Sequence, residues 1–164
     1  MHRRSALTVF LVTLAAPRLA FGARGSTSPD AEHAEQTLAV GTIALETSKL
    51  AQSMAKDDWV KRFAGYEVAE QTTIAEILKS MGFTPEKSEE AAEAVDKLKK
   101  SSNFDADYVA AQLDGHQRLL KIQEDYIDSG ERKNRAGLDV SRMARTQIKE
   151  HIDLLQTIQK TLKT

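Results

Sequence analysis

The sequence predicts an all-α fold, an up-down four-helix bundle with a short connector helix in the crossover between its two hairpins. Three observations carry this. Four long segments repeat apolar residues at three- and four-residue steps, the spacing of one helix face. Start and stop signals punctuate them: Ser28-Pro29 and Thr84-Pro85 at two starts, Gly82 and Ser129-Gly130 at two ends. No run alternates β-branched and polar residues between turns, and no segment repeats another.

Ser28 caps the first helix, and Pro29 sits in its first turn, where a backbone N–H would have no partner anyway. That helix runs to about Lys56 with Val40, Ile43, Thr47, Leu50 and Met54 on one face. Asp57-Asp58 makes the turn and caps the second helix. Its seam is Val60, Ala64, Glu67, Gln71, Ile74, Leu78 and Met81, a coiled-coil-like repeat that Gly82 ends. Thr84-Pro85 starts a solvated connector helix, rich in Ala, Glu and Lys, that reaches about Lys100. The fourth segment opens at Asn103-Phe104-Asp105, with Asp105 as its cap and Asp107 in the first turn. Val109, Leu113, His116, Leu120, Gln123 and Ile127 form its seam. The last helix starts between Glu131 and Leu138 and turns Ala144, Ile148, His151, Leu155, Ile158 and Leu162 inward. Two short hairpin turns with one long crossover are the ferritin-like arrangement.

Residues 1–22 read as an export leader. Arg3 and Arg4 give a positive start, Ser5 to Ala16 is uncharged and apolar, and Ala20-Phe21-Gly22 offers small residues for cleavage before Ala23. The apolar run is shorter than the ~20 residues a membrane span needs, and no other segment could span, so no transmembrane segment is expected. Arg3-Arg4 also loosely matches a twin-arginine signal, which leaves the general and twin-arginine export routes both open. Residues 23–29 form a flexible linker, and residues 30–164 the bundle domain. The expected location is therefore the periplasm, with outer-membrane association a further option. The leader holds three of the 23 basic residues and no acid, leaving 20 basic against 24 acidic. That balance argues against nucleic acid as a partner. The chain has no cysteine, which excludes disulfides, thiol catalysis and thiolate metal sites.

The seams carry groups that are expensive to bury unpaired. His116 and His151 occupy seam positions on two separate helices, Glu67 occupies one on a third, and Glu46 borders the seam of the first. Hairpin geometry sets their heights. Glu46 lies 11 residues before the first turn and Glu67 lies 10 after it; His116 lies 16 before the second turn and His151 lies 19 after. The second mismatch is ~4.5 Å at the helical rise, within reach of two imidazoles. One mid-bundle layer of Glu46, Glu67, His116 and His151 is therefore expected, with Glu70, Gln71 and Glu150 within a turn of it. Imidazole and carboxylate suit iron, manganese or zinc. The chain has no Glu-x-x-His, so a six-ligand di-iron carboxylate site is not expected. The competing reading is two buried pairs, Glu67–His151 and Glu46–His116, that fix helix register.

Trp59, Phe63 and Tyr66 are expected to pack in the core, and the Tyr108 and Tyr126 hydroxyls to lie within reach of the polar layer. His33, near the N-terminus, is expected to be exposed, and Arg132-Lys133-Asn134-Arg135 solvated. No nucleophile triad, phosphate loop or EF-hand pattern is present.

Three stretches together resemble a known family. They are Trp59-Val60-Lys61-Arg62-Phe63-Ala64, then Phe104-Asp105-Ala106-Asp107-Tyr108 with His116 following, then Lys149-Glu150-His151-Ile152. They resemble the bacterial exported family known as domain of unknown function 4142, over about Asp30 to Leu162. The resemblance implies a ferritin-like fold and a periplasmic or outer-membrane protein. That family usually carries an Asp-His pair on its second long helix, where this chain has Glu70-Gln71. A metal role for that histidine would leave this chain one ligand short.

The functional expectation is a non-enzymatic structural or interaction protein of the envelope, or an envelope-stress protein, working through a protein partner or self-association. The alternative is a non-haem metal-binding bundle, with oxidoreductase or storage activity, built on Glu46, Glu67, His116 and His151.

Overall fold

The computed structural model describes residues 28–129 and 134–162. The expected leader over 1–22, the expected linker as far as residue 27, Gly130 and the basic pair Arg132-Lys133 lie outside the described residues. The helices are α1 (Pro29–Met54), α2 (Asp58–Ser80), α3 (Glu89–Lys99), α4 (Phe104–Asp128) and α5 (Arg135–Thr161), with no strand among the described residues. None of these helices is long and apolar enough to cross a membrane.

The starts follow the expected capping chemistry at α1 and α2, and α5 opens within the expected 131–138 window on an Asn134 cap. Ser28 Oγ accepts from the Ala31 N–H, Asp57 from Trp59 and Val60, and Asn134 from Ala136. Gly82 takes φ +96°, a left-handed conformation open to glycine without strain, and closes α2. The connector begins later than Thr84-Pro85 suggests. Residues 83–88 stay irregular, and Ser88 Oγ caps the Ala91 N–H, with Glu89 and Glu90 in the first turn.

Asp105 is not a helix cap. Asn103 precedes α4 without a side-chain cap bond. The Asp105 carboxylate instead accepts the backbone N–H groups of Lys56 at 3.1 Å and Asp57 at 2.9 Å. It thereby satisfies the turn between α1 and α2 and latches the second hairpin onto the first. Asp105→Ala would strip both donors of their acceptor. The expected loss is about 1–3 kcal/mol in urea unfolding, with Asp105→Asn recovering part of it.

α1 packs along α2 and along α4, α4 packs along α5, and α3 packs against α1 with a lighter contact to α4. Leu78 near the end of α2 meets Ala34 and Leu38 near the start of α1. Asp105 at the start of α4 meets the end of α1. The crossover containing α3 therefore climbs the length of the bundle, and α1 and α4 run antiparallel.

Apolar and polar layers alternate along the axis. Ala51, Val60, Phe63, Val109, Tyr108 and Leu155 fill one end. Val40, Leu119 and Ile148 form the middle cluster, and Ala34, Leu38 and Leu78 the other end. Polar layers lie between them. The α4 seam departs from the expected one at Gln112, a polar side chain with partners on α1. Gln112 is buried while Leu113 is half-buried, because the Gln112 amide donates to Ala44 O, Thr47 Oγ1 and Ser48 Oγ on α1. Of the three α2 aromatics expected in the core, only Phe63 is there. Trp59 is 54% exposed, with the Arg62 guanidinium over its ring, and Tyr66 is 57% exposed.

Candidate metal centre

The centre is built from three helices. Glu67 on α2 is fully buried, as is His116 on α4, and His151 on α5 keeps 12% of its side chain exposed. Glu67 Oε2 lies 3.3 Å from His116 Nε2 and 3.3 Å from His151 Nδ1, and those two nitrogens are 3.1 Å apart. Their spacing follows from the fold: α4 and α5 pack closely, and α2 reaches them through the long Glu67 side chain.

The other ring nitrogens are committed. His116 Nδ1 lies 2.8 Å from Gln112 O, a carbonyl that only accepts, so that nitrogen carries a proton. His151 Nε2 lies 3.2 Å from the half-buried Glu70 carboxylate. A proton on each of these outer nitrogens leaves His116 Nε2 and His151 Nδ1 as bare acceptors when the rings are neutral. Glu67 Oε1 accepts from Gln71 Nε2 at 2.9 Å, whereas the buried Glu67 Oε2 faces the two ring nitrogens, each 3.3 Å away. Gln71 lies against α1 where Gly41 leaves room; a Cβ there would come within 2.5 Å of Gln71 Oε1.

Electrostatics follow from this enclosure. Burial opposes ionisation of Glu67, yet hydrogen bonds and charge from His116 and His151 outweigh it and pull the carboxyl down to about 2. Burial also disfavours the His151 cation, but Glu67 and Glu70 raise it to about 9. Without a metal, His151 is therefore cationic at neutral pH and bridges the two carboxylates.

Phe63 shelves both rings, its centroid 5.2 Å from that of His151 and 5.8 Å from that of His116. The Tyr108 hydroxyl pairs with Ser48 at 2.8 Å and so belongs to the Gln112 network on α1. Burial raises its pKa.

Of the expected residues, Glu67, His116 and His151 come together, and Glu70 joins them from outside. Glu46 does not. It sits on the outer side of α1, paired with Lys49 at 2.7 Å, with 43% of its side chain exposed. Its height was matched to Glu67, but it lies about 100° around the helix from Thr47, which faces inward. Glu150 is exposed.

His33 is a second correction: it is buried rather than exposed. Its Nε2 donates to Gln123 Oε1 at 2.8 Å, with Ser141 Oγ at 3.1 Å, and its ring stacks on Tyr126 at 4.0 Å. The Tyr126 hydroxyl donates to Asp30, so it serves this lower layer and not the triad. Burial lowers the His33 pKa from 6.5, against the pull of Gln123 and Asp30.

His33 and His151 thus depart from 6.5 in opposite directions. For His33, the stability gained by keeping the ring neutral is present above 6.5 and lost as pH falls below it. For His151, the stability from its charge is present below 6.5 and lost as pH rises through about 9. The metal-free protein is therefore expected to be most stable near pH 6.5, with acid and alkaline limbs in a melting-temperature profile. His33→Asn should flatten the acid limb above pH 4.5, where Glu67 is not yet losing its own contribution. His151→Gln should flatten the alkaline limb.

A family model described as a domain of unknown function, DUF4142, matches residues 16–158. No curated protein and no solved structure matches the chain.

Proposed function

The chain belongs to the DUF4142 family, and we propose that this member binds a divalent transition metal through Glu67, His116 and His151. The observation that carries this is the triangle of Glu67 Oε2, His116 Nε2 and His151 Nδ1, 3.1–3.3 Å on each side, three ligand-type atoms brought together in a buried layer. Ligands about 2.0–2.2 Å from one ion stand roughly 2.8–3.6 Å apart in octahedral or tetrahedral geometry. Two imidazoles with one carboxylate form the facial set that non-haem iron(II) sites use. The outer contacts fit as well: Gln112 O and Glu70 hold the two rings, as the partners of metal-bound histidines do. A bound ion would supply Lewis acidity at this layer; the chain's residues orient it and close it off from one side.

The second reading is a structural one, favoured by the raised pKa of His151. A proton in place of the ion joins Glu67 to Glu70 through His151, and the layer then fixes helix register in an interaction protein. Under either reading we place the protein in the periplasm. The support is the Arg3-Arg4 start, the apolar run and the Ala20-Phe21-Gly22 cleavage pattern.

Elemental mass spectrometry after anaerobic loading with iron, manganese and zinc separates the two. Near-stoichiometric metal in the wild type and none in His116→Ala is the expected outcome. No retained metal, with a melting temperature unmoved by all three ions, would leave the hydrogen-bond network as the role of the layer.

A further inference from the structure

A small cavity adjoins the two imidazoles. Its volume is about 30 Å³, and His116, His151, Gln71, Thr37, Gln123 and Ala144 contribute to its wall. One water needs roughly 10–15 Å³ of such space, so this cavity takes about two or three non-hydrogen atoms. The wall is partly polar. Gln71 uses one amide N–H on Glu67, and Gln123 uses one on Thr37. Each primary amide has a second N–H, so the wall offers donors to an electron-rich guest, beside a Glu70 carboxylate already committed to His151 Nε2. Three protein ligands leave coordination positions open on a metal of this class. The much larger groove of about 500 Å³ between α1, α3 and α4 is lined by none of the three. An organic substrate seated there would not reach the centre.

We propose that the cavity seats an exogenous ligand of the metal, a small electron-pair donor of about two or three heavy atoms. This rests on the metal reading above and names what that site accepts. The shared chemistry is electron-pair donation, whether from a neutral diatomic or from a small anion.

Two probes separate these sources. Nitric oxide is added anaerobically to iron(II)-loaded protein and followed by electron paramagnetic resonance. Azide is titrated into cobalt(II)-loaded protein and followed by visible absorption. A saturable spectral change with at least one probe is expected; azide alone marks an anion site, nitric oxide alone a neutral one. Ala144→Leu fills the cavity and leaves all three ligand residues unchanged. It should keep its metal and lose about tenfold or more in probe affinity. Ala144→Val makes the same test with a smaller intrusion, should the leucine variant fail to fold. No response of the loaded wild type to either probe overturns the proposal, as does wild-type affinity in a loaded cavity variant. A wild type that takes up no metal overturns the triad reading and this one with it, and elemental analysis tells that failure from the first.

Discussion

Glu67→Gln is expected to fold and to take up no iron, manganese or zinc, whereas Glu67→Leu should lose about 3–5 kcal/mol of stability. The two substitutions remove the same charge with opposite consequences for the layer. An amide nitrogen at the place of Oε2 would face two ring nitrogens 3.3 Å away and donate to both. The amide oxygen would keep the bond from Gln71. The acceptor triangle then closes without any cation, and the site loses its reason to hold one. Leucine leaves Gln71 without its acceptor and the His151 cation with Glu70 alone. Elemental analysis reads the first effect and urea unfolding the second. Stoichiometric metal in the Gln variant would remove Glu67 from the ligand set. Glu70→Gln, which only orients His151, should weaken binding by about 10–100-fold without abolishing it.

Phe63→Ala should be the most damaging single change in the core, at about 3–5 kcal/mol. The side chain is 1% exposed and touches three aromatic neighbours, Tyr108, His116 and His151. Removing it opens a void between the apolar end layer and the polar one, where neither can relax without breaking hydrogen bonds. It also takes away the shelf on which both imidazoles rest, so metal affinity should fall along with stability. Denaturant unfolding checks the magnitude, and a loss below about 1 kcal/mol would mean the void is refilled by neighbouring side chains.

Much of the bundle could be read from the chain because helix signals are local. Caps at Ser28 and Asp57 and the stop at Gly82 each act within a few residues. The match of Glu67, His116 and His151 was legible too, since a regular rise and a short turn fix heights. What was lost is azimuth. Glu46 shows this: the right level on α1, the wrong side. Gln112 shows a related failure, because burying an amide is reasonable only once Ala44 O, Thr47 and Ser48 are known to face it. His33 follows the same logic, its partners Gln123 and Ser141 lying about a hundred residues away in sequence. Asp105 looks like a local cap because nothing in the sequence ties it to the Asp57 turn, 48 residues away. Glu70 was seen only as a neighbour, although its spacing three residues after Glu67 puts it on the same helix face.

Ownership of the centre is divided between the two hairpins. Glu67, Glu70 and Gln71 come from the α1–α2 hairpin, and Gln112, His116 and His151 from the α4–α5 hairpin. Each hairpin closes across a short turn, but their union must close the long crossover through α3, the entropically slower event. The centre therefore does not exist until that last association, and whatever fills it acts on that step alone. An ion at a hundred times its Kd adds about 2.7 kcal/mol to the joined form. That gain should appear as slower separation of the hairpins rather than faster formation of either.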